Sequence, residues 1–117
     1  MVRLESLKKS YQFKQTLKEK KVHTEFFSIF AAKNFYKPKY KQDLIISFVM
    51  KKKIGNAVKR NKIRRKLKAI VQKLLKKRGA ISKDYTYIVF GKTKAYLQKQ
   101  SVLMPLMEKS FKTIKIK

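Results

Sequence analysis

The residues with the clearest chemical potential lie in one run. From Lys51 to Ser82 the chain carries no Asp or Glu, while Lys and Arg recur throughout. On a helix turning about 100° per residue, Ile63, Leu67, Ile70 and Leu74 share one apolar stripe, widened by Val71. Ala57, Asn61, Arg64 and Lys68 fall on a second arc roughly a third of a turn away, flanked by Arg60 and Arg65. Guanidinium groups make bidentate contacts with phosphates or base edges, and Asn61 adds a donor and an acceptor. A merely solubilising face would mix both signs of charge, so a single sign points to a polyanion. If about five of these cations meet phosphates, affinity falls roughly a few hundred-fold between 50 and 200 mM salt.

Hydrolytic chemistry has no comparable candidates. The chain has one His, no Cys and six scattered acids. That leaves no thiolate nucleophile, no disulfide framework, no Cys-type zinc site, no His cluster and no paired carboxylates. Gly55 followed by Asn-Ala-Val-Lys-Arg fits neither a P-loop nor a dinucleotide loop; it reads as the tight turn from strand to helix.

The charge balance, 33 cations minus six acids, is +27 over 117 residues. Such a charge repels itself in the folded state, which favours a polyanionic partner. Nucleic acid ranks first and an anionic membrane surface second. The longest apolar run, Leu44 to Met50, is broken by Ser47 and far too short for a bilayer. Met1 to Ser10 is charged with no apolar stretch behind it, so no signal peptide and a cytoplasmic location are expected. With 44% hydrophobic residues, eight Phe and six Tyr among them, residues 1–117 should form one domain around one core.

The elements that must position the basic run can be read in outline. Leu7, Ser10, Phe13 and Leu17 suggest a first helix over 6–20, capped by Ser6 or Ser10. Residues 25–31 read as a strand with Phe26, Ser28 and Phe30 on one side and Phe27, Ile29 and Ala31 on the core side. Leu44 to Met50 reads as a strand buried on both faces. A helix over 57–78 should start from an Asn56 cap and end at Gly79. A strand over 85–90 and a helix through Leu103, Met107, Phe111 and Ile114 follow, with Pro105 in the helix's first turn or at a kink. The predicted order is α-β-β-(β)-α-β-α, the optional strand near the Pro38 loop. This is an α+β or α/β fold with a small sheet.

The stretch Lys52-Lys53-Ile54-Gly55-Asn56-Ala57-Val58-Lys59-Arg60-Asn61-Lys62-Ile63-Arg64-Arg65 resembles the signature of the bacterial ribonuclease P protein subunit. That pattern runs Lys-Lys-Val-Gly-Asn-Ala-Val-x-Arg-Asn-Arg-x-Lys-Arg. Leu7-Lys8-Lys9 with Phe13, the aromatic strand and Asp84-Tyr85 extend the likeness over most of the chain. Lys62 departs from it, replacing an Arg, and Leu17 replaces a frequent Phe. The resemblance implies a single-domain α/β sandwich of about three helices on a small mixed sheet, with a left-handed βαβ crossover. It also implies a protein that assists a catalytic RNA, which holds the Mg²⁺, in removing the 5′ leader of precursor tRNA. By position, Arg60, Asn61, Lys62, Arg64, Arg65 and Lys68 would meet the catalytic RNA. Lys52, Lys53 and Asn56, just ahead of the helix, would join them. Phe13, Leu17, Ser28 and Phe30 would line a cleft for the unpaired leader. Phe13 has a competing reading as core, His23 as an ordinary strand-edge residue, and Tyr36 and Tyr40 as part of a solvated basic loop. A small ribosomal or other structural RNA-binding protein is the alternative; neither reading needs a membrane or a small-molecule cofactor.

Overall fold

A computed structural model describes residues 3–38 and 43–116. Along the chain run β1 (Leu4–Glu5), α1 (Ser10–Lys18), β2 (Lys20–His23), β3 (Phe27–Lys33), β4 (Leu44–Val49), α2 (Ala57–Leu74), β5 (Tyr85–Gly91) and α3 (Gln100–Ile116). Short 3-10 turns at Lys52–Ile54 and Thr93–Ala95 precede α2 and follow β5. The sheet order is β1-β4-β5-β3-β2. β4 runs parallel to both β1 and β5, whereas β3 runs antiparallel to β5 and β2. The β4–α2–β5 connection is thus a βαβ crossover between parallel neighbours in a mixed sheet.

Strand alternation divides the core. Phe27, Ile29 and Ala31 of β3, Leu44 and Ile46 of β4, and Tyr87 and Val89 of β5 point to one face. There they meet Ile63, Leu67, Ile70, Val71 and Leu74 of α2 and Leu103, Met107, Phe111 and Ile114 of α3. Ile45 and Ile88 point to the other face, where Leu7, Phe13, Phe30, Tyr36, Val49 and Phe90 pack around them under α1. The fold is an α+β sandwich, with α2 and α3 on one side of the sheet and α1 on the other.

Packing, and not helix propensity, holds α2 together. Ile63, Leu67, Ile70 and Leu74 are fully buried, worth about 6–12 kcal/mol of transfer free energy together. The like-charge pairs Arg60/Arg64, Lys62/Lys66 and Arg64/Lys68, one helical turn apart, each cost only ~0.2–0.5 kcal/mol. Burial wins by a wide margin. Where the helix starts is set locally. Gly55 takes φ 150°, a left-handed value open to glycine, and Asn56 accepts a hydrogen bond from the Lys59 backbone N–H at 2.9 Å, satisfying one orphan donor.

Several sequence expectations shift. α1 spans nine residues, not fifteen, and neither Ser6 nor Ser10 caps it. The Gln12 side-chain oxygen takes the backbone N–H groups of Lys8 and Lys9 at 2.9 and 3.1 Å. Gln12 and Thr16, not an apolar stripe, are the buried residues of this helix. β3 begins two residues later than expected because Thr24 Oγ1 accepts from the N–H groups of Phe26 and Phe27, which folds Glu25 and Phe26 into a turn. The extra strand is β2, pairing along the outer edge of β3, and residues 34–38 carry none. α2 stops at Leu74, and the following turns reach Gly79 at φ 77°. Pro105 sits inside α3, past its first turn.

Two outcomes test this account of α2. Leu67→Ala should cost about 2–5 kcal/mol in urea unfolding, while Val58→Ala, at a position 75% exposed, should stay within about 0.5 kcal/mol. Asn56→Ala should lose about 1 kcal/mol and Asn56→Ser only a few tenths, roughly, if the side chain acts as a cap.

Candidate nucleic-acid interface

The exposed surface of α2 has three sides. Along its crest lie Val58, Asn61 and Arg65, all exposed. One flank carries Arg60, Arg64 and Lys68 at four-residue spacing. Arg64 Nη1 donates to Asn61 Oδ1 at 2.6 Å, and Arg60 Nε reaches the Asn56 carbonyl at 3.5 Å. These contacts orient the two guanidinium groups while leaving most of their donors facing outward.

The opposite flank carries lysines, and the segment leading into α3 holds them. Lys66 Nζ donates to the carbonyls of Ala95, Tyr96 and Gln98 at 3.0, 2.8 and 2.7 Å. Burial, with the charge of Lys62 as a lesser cause, lowers its pKa. Lys73 Nζ donates to Gln100 Oε1 at 3.0 Å. Lys59 and Lys62 place their ammonium groups 5.0 and 4.8 Å from the centroid of the Tyr96 ring. Lys62 sits across the crest from Arg60, Arg64 and Lys68, on the side of Tyr96. Asn56 is engaged as the helix cap, and Lys52 and Lys53 are exposed in the turn ahead of it.

On the α1 side of the sheet, a groove of about 680 Å³ opens beside that turn. It exists because α1 is short and leaves one end of the sheet face uncovered. Leu17, Ser28 and Phe30 line it, together with His23, Phe90, Lys51, Lys53, Lys92 and Lys94. Three rings stand in a row: His23 against Phe30 at 5.7 Å and Phe30 against Phe90 at 5.5 Å, both edge to face. Ser28 Oγ lies 2.7 Å from His23 Nδ1 and fixes the imidazole. Lys51 Nζ stands 5.8 Å from the Phe90 centroid. At the rim, Lys92 Nζ donates to the Thr24 carbonyl at 2.6 Å, and Lys94 pairs with Glu25 at 3.0 Å.

Of the four residues expected in a cleft, three border the groove. Phe13 does not; half-buried, it packs with Leu7, Ile45 and Ile88, as the core reading held. Tyr36 joins the same cluster. Burial, with Glu5 and Tyr11 adding to it, pushes its phenol up to about 12, so it packs there as a neutral side chain. Tyr40, Lys39 and Lys41 lie outside the described residues. His23, Phe90, Lys51, Lys92 and Lys94 were missed. Phe90 shares the face of Ser28, its cross-strand neighbour, and only that pairing register reveals the aromatic row. Among the described residues no three His, Cys, Asp or Glu side chains gather as metal ligands would, and no helix is long and apolar enough to cross a membrane.

An acid-free cationic helix beside an aromatic, cation-rimmed groove is suited to RNA: the helix meets phosphates and the groove accepts unpaired bases. Comparison with known proteins agrees. The sequence model of the family described as Ribonuclease P matches residues 1–115. A ribonuclease P protein component from Mycoplasma capricolum subsp. capricolum is 32% identical over 110 residues, 93% of this chain and 94% of that one. Its counterpart from Mycoplasma mycoides subsp. mycoides is 34% identical over 83 residues, 71% of this chain and 72% of that one. Among solved structures, the Thermotoga maritima RNase P protein superposes with a TM-score of 0.73 at 23% identity, covering 94% of this chain and 97% of that one. The Staphylococcus aureus RNase P protein gives 0.69 at 24% identity, covering 95% of each chain. These two show the shared fold; the sequence matches show the family and displace the ribosomal alternative. The chain belongs to the ribonuclease P protein family, the RNA-binding protein components of a ribonucleoprotein endoribonuclease in tRNA processing.

Proposed function

We propose that the arginine flank and crest of α2 meet the catalytic RNA while the groove holds the unpaired 5′ leader of precursor tRNA, in the cytoplasm. The observation that carries this reading is the groove's row of rings, His23, Phe30 and Phe90, set among Lys51, Lys53, Lys92 and Lys94. Unpaired bases can lie against ring faces while ammonium groups follow the backbone. A folded catalytic RNA instead presents dense phosphates, which Arg60, Arg64, Arg65 and Lys68 can meet as forks and point charges. Lys53 lines the groove, and Lys52 stands exposed next to it in the turn that leads to α2.

Mg²⁺ belongs to the RNA subunit on this reading. The only carboxylate lining the groove among the described residues, Glu25, is already paired with Lys94, so the groove offers no acidic ligand set. The protein's part is to bind, orient and screen charge.

Adding the chain to a bacterial ribonuclease P RNA at low Mg²⁺ should raise the rate of precursor-tRNA cleavage; no gain would remove the reading. Phe30→Ala should lower affinity for precursor tRNA by about 1–3 kcal/mol, one stacked base, with mature tRNA little affected. Arg60→Ala with Arg64→Ala should instead weaken binding to the catalytic RNA and reduce the salt slope by about 2. Loss of the same property to the same degree in both variants would show that the two surfaces are not distinct.

A further inference from the structure

We infer that Tyr96 is a positioning residue whose ring gathers the ammonium groups of Lys59 and Lys62 into one preformed clamp for a backbone phosphate of the ribonuclease P RNA. The inference rests on the reading that this RNA meets α2, and it adds a site on the lysine flank, distinct from the arginine flank and from the residues that line the groove.

The geometry is specific. Lys59 and Lys62 lie three residues apart and therefore project from one side of the helix. Neither has a carboxylate partner among the described residues. Two ammonium groups drawn to one ring, 5.0 and 4.8 Å from its centroid and without an anion, repel each other, and the ring's quadrupole offsets that repulsion. The ring itself is held in place. Lys66, one turn further on from Lys62, ties the backbone of Ala95, Tyr96 and Gln98 to the helix through three hydrogen bonds.

The contrast with Lys66 shows what the ring achieves. An ammonium group has three donors, and Lys66 gives all three to carbonyls. A ring contact takes no hydrogen bond, so Lys59 and Lys62 are placed while their N–H groups stay available. A phosphate meeting both would receive two charged donors in a fixed relation, the arrangement a single guanidinium fork supplies by itself. Lys62 is the motif position where this chain carries an ammonium in place of that fork. Next to the pair, Leu97 stands 86% exposed and Val58 75% exposed, apolar surface that a ribose or base would cover.

Binding of the full chain to in vitro transcribed bacterial ribonuclease P RNA tests the clamp. Tyr96→Leu should weaken binding roughly five- to thirty-fold, the worth of two cation–π contacts, and Tyr96→Phe should retain it. In a Lys59→Met, Lys62→Met background, Tyr96→Leu should have no further effect. Unchanged binding in Tyr96→Leu, an equal loss in both backgrounds, or a loss in Tyr96→Phe matching that in Tyr96→Leu would each overturn the proposal. Tyr96 also packs against the core, so a second measurement uses the unmutated protein. The ε-methylene proton signals of Lys59 and Lys62 should lie upfield through the ring current and move together on addition of inorganic phosphate. Signals at ordinary lysine positions, or unmoved by phosphate, would overturn the clamp. If the unmutated chain fails to bind the RNA while those signals respond to phosphate, the proposed RNA contact fails and the clamp stands.

Discussion

Thirty-three cations share this chain with six carboxylates, so charge cannot be balanced within the fold and must be placed. Backbone carbonyls and aromatic faces take the place of acids. Lys92 donates to the Thr24 carbonyl, Lys115 to Gly79 and Lys20 to Lys115. Lys20 also lies 4.9 Å from the Tyr85 centroid. Such contacts fix a lysine without cancelling its charge. Glu108, shared by Lys77 and Lys112, does cancel charge; the Lys77 hydrogen bond, first among several causes, lowers its pKa. Carbonyl and ring contacts therefore order much of the surface while the outward field survives to draw in a polyanion.

That economy of acids explains the sidedness of α2. Lysines occupy the flank facing the segment into α3, where a flexible stem and a compact ammonium suit a cluster of carbonyls. Arginines occupy the free flank, where a planar fork suits a phosphate. One helix thus fastens the segment into α3 through Lys66 on one side and leaves guanidinium groups on the other, while its apolar stripe seats both on the sheet.

Features governed by local periodicity were legible in the sequence. The stripe from Ile63 to Leu74, the Asn56 cap, the parity of β3 and the buried β4 all followed from spacing. α1 misled because its buried face is polar. Thr16 Oγ1 donates to the Gln12 carbonyl at 2.7 Å, and Gln12 caps its own helix, so two polar side chains are buried at little cost and leave no apolar period. β2, Lys-Lys-Val-His, lacks alternation and owes its strand form to pairing with β3. His23 then joins the aromatic row through Ser28, five residues away on the neighbouring strand. Phe90 and Tyr96 gain their roles from partners distant in sequence, and no local pattern marks them. Leu17, Ser28 and Phe30, named by family position, border the groove and Phe13 does not; the groove's other wall depends on the register between β3 and β5.

The helix and the groove, the two surfaces proposed to face RNA, are coupled through one rigid corner. β4 ends beside Met50, the chain turns through Lys51–Gly55, and α2 begins at once. β5 passes so close to this corner that a Cβ at Gly91 would overlap the Met50 side chain and lie 2.8 Å from Ile63 Cγ2. Gly91 borders the groove, Met50 leads into the turn and Ile63 belongs to the core stripe of α2. Groove floor, turn and helix are therefore packed as one body, with no layer between them that could slide. On the proposed reading, an RNA seated on α2 would fix where the groove stands in space, and a leader lying in the groove would be placed relative to that RNA. The protein would then assist cleavage by geometry, because closely packed interiors hold such relations without slack.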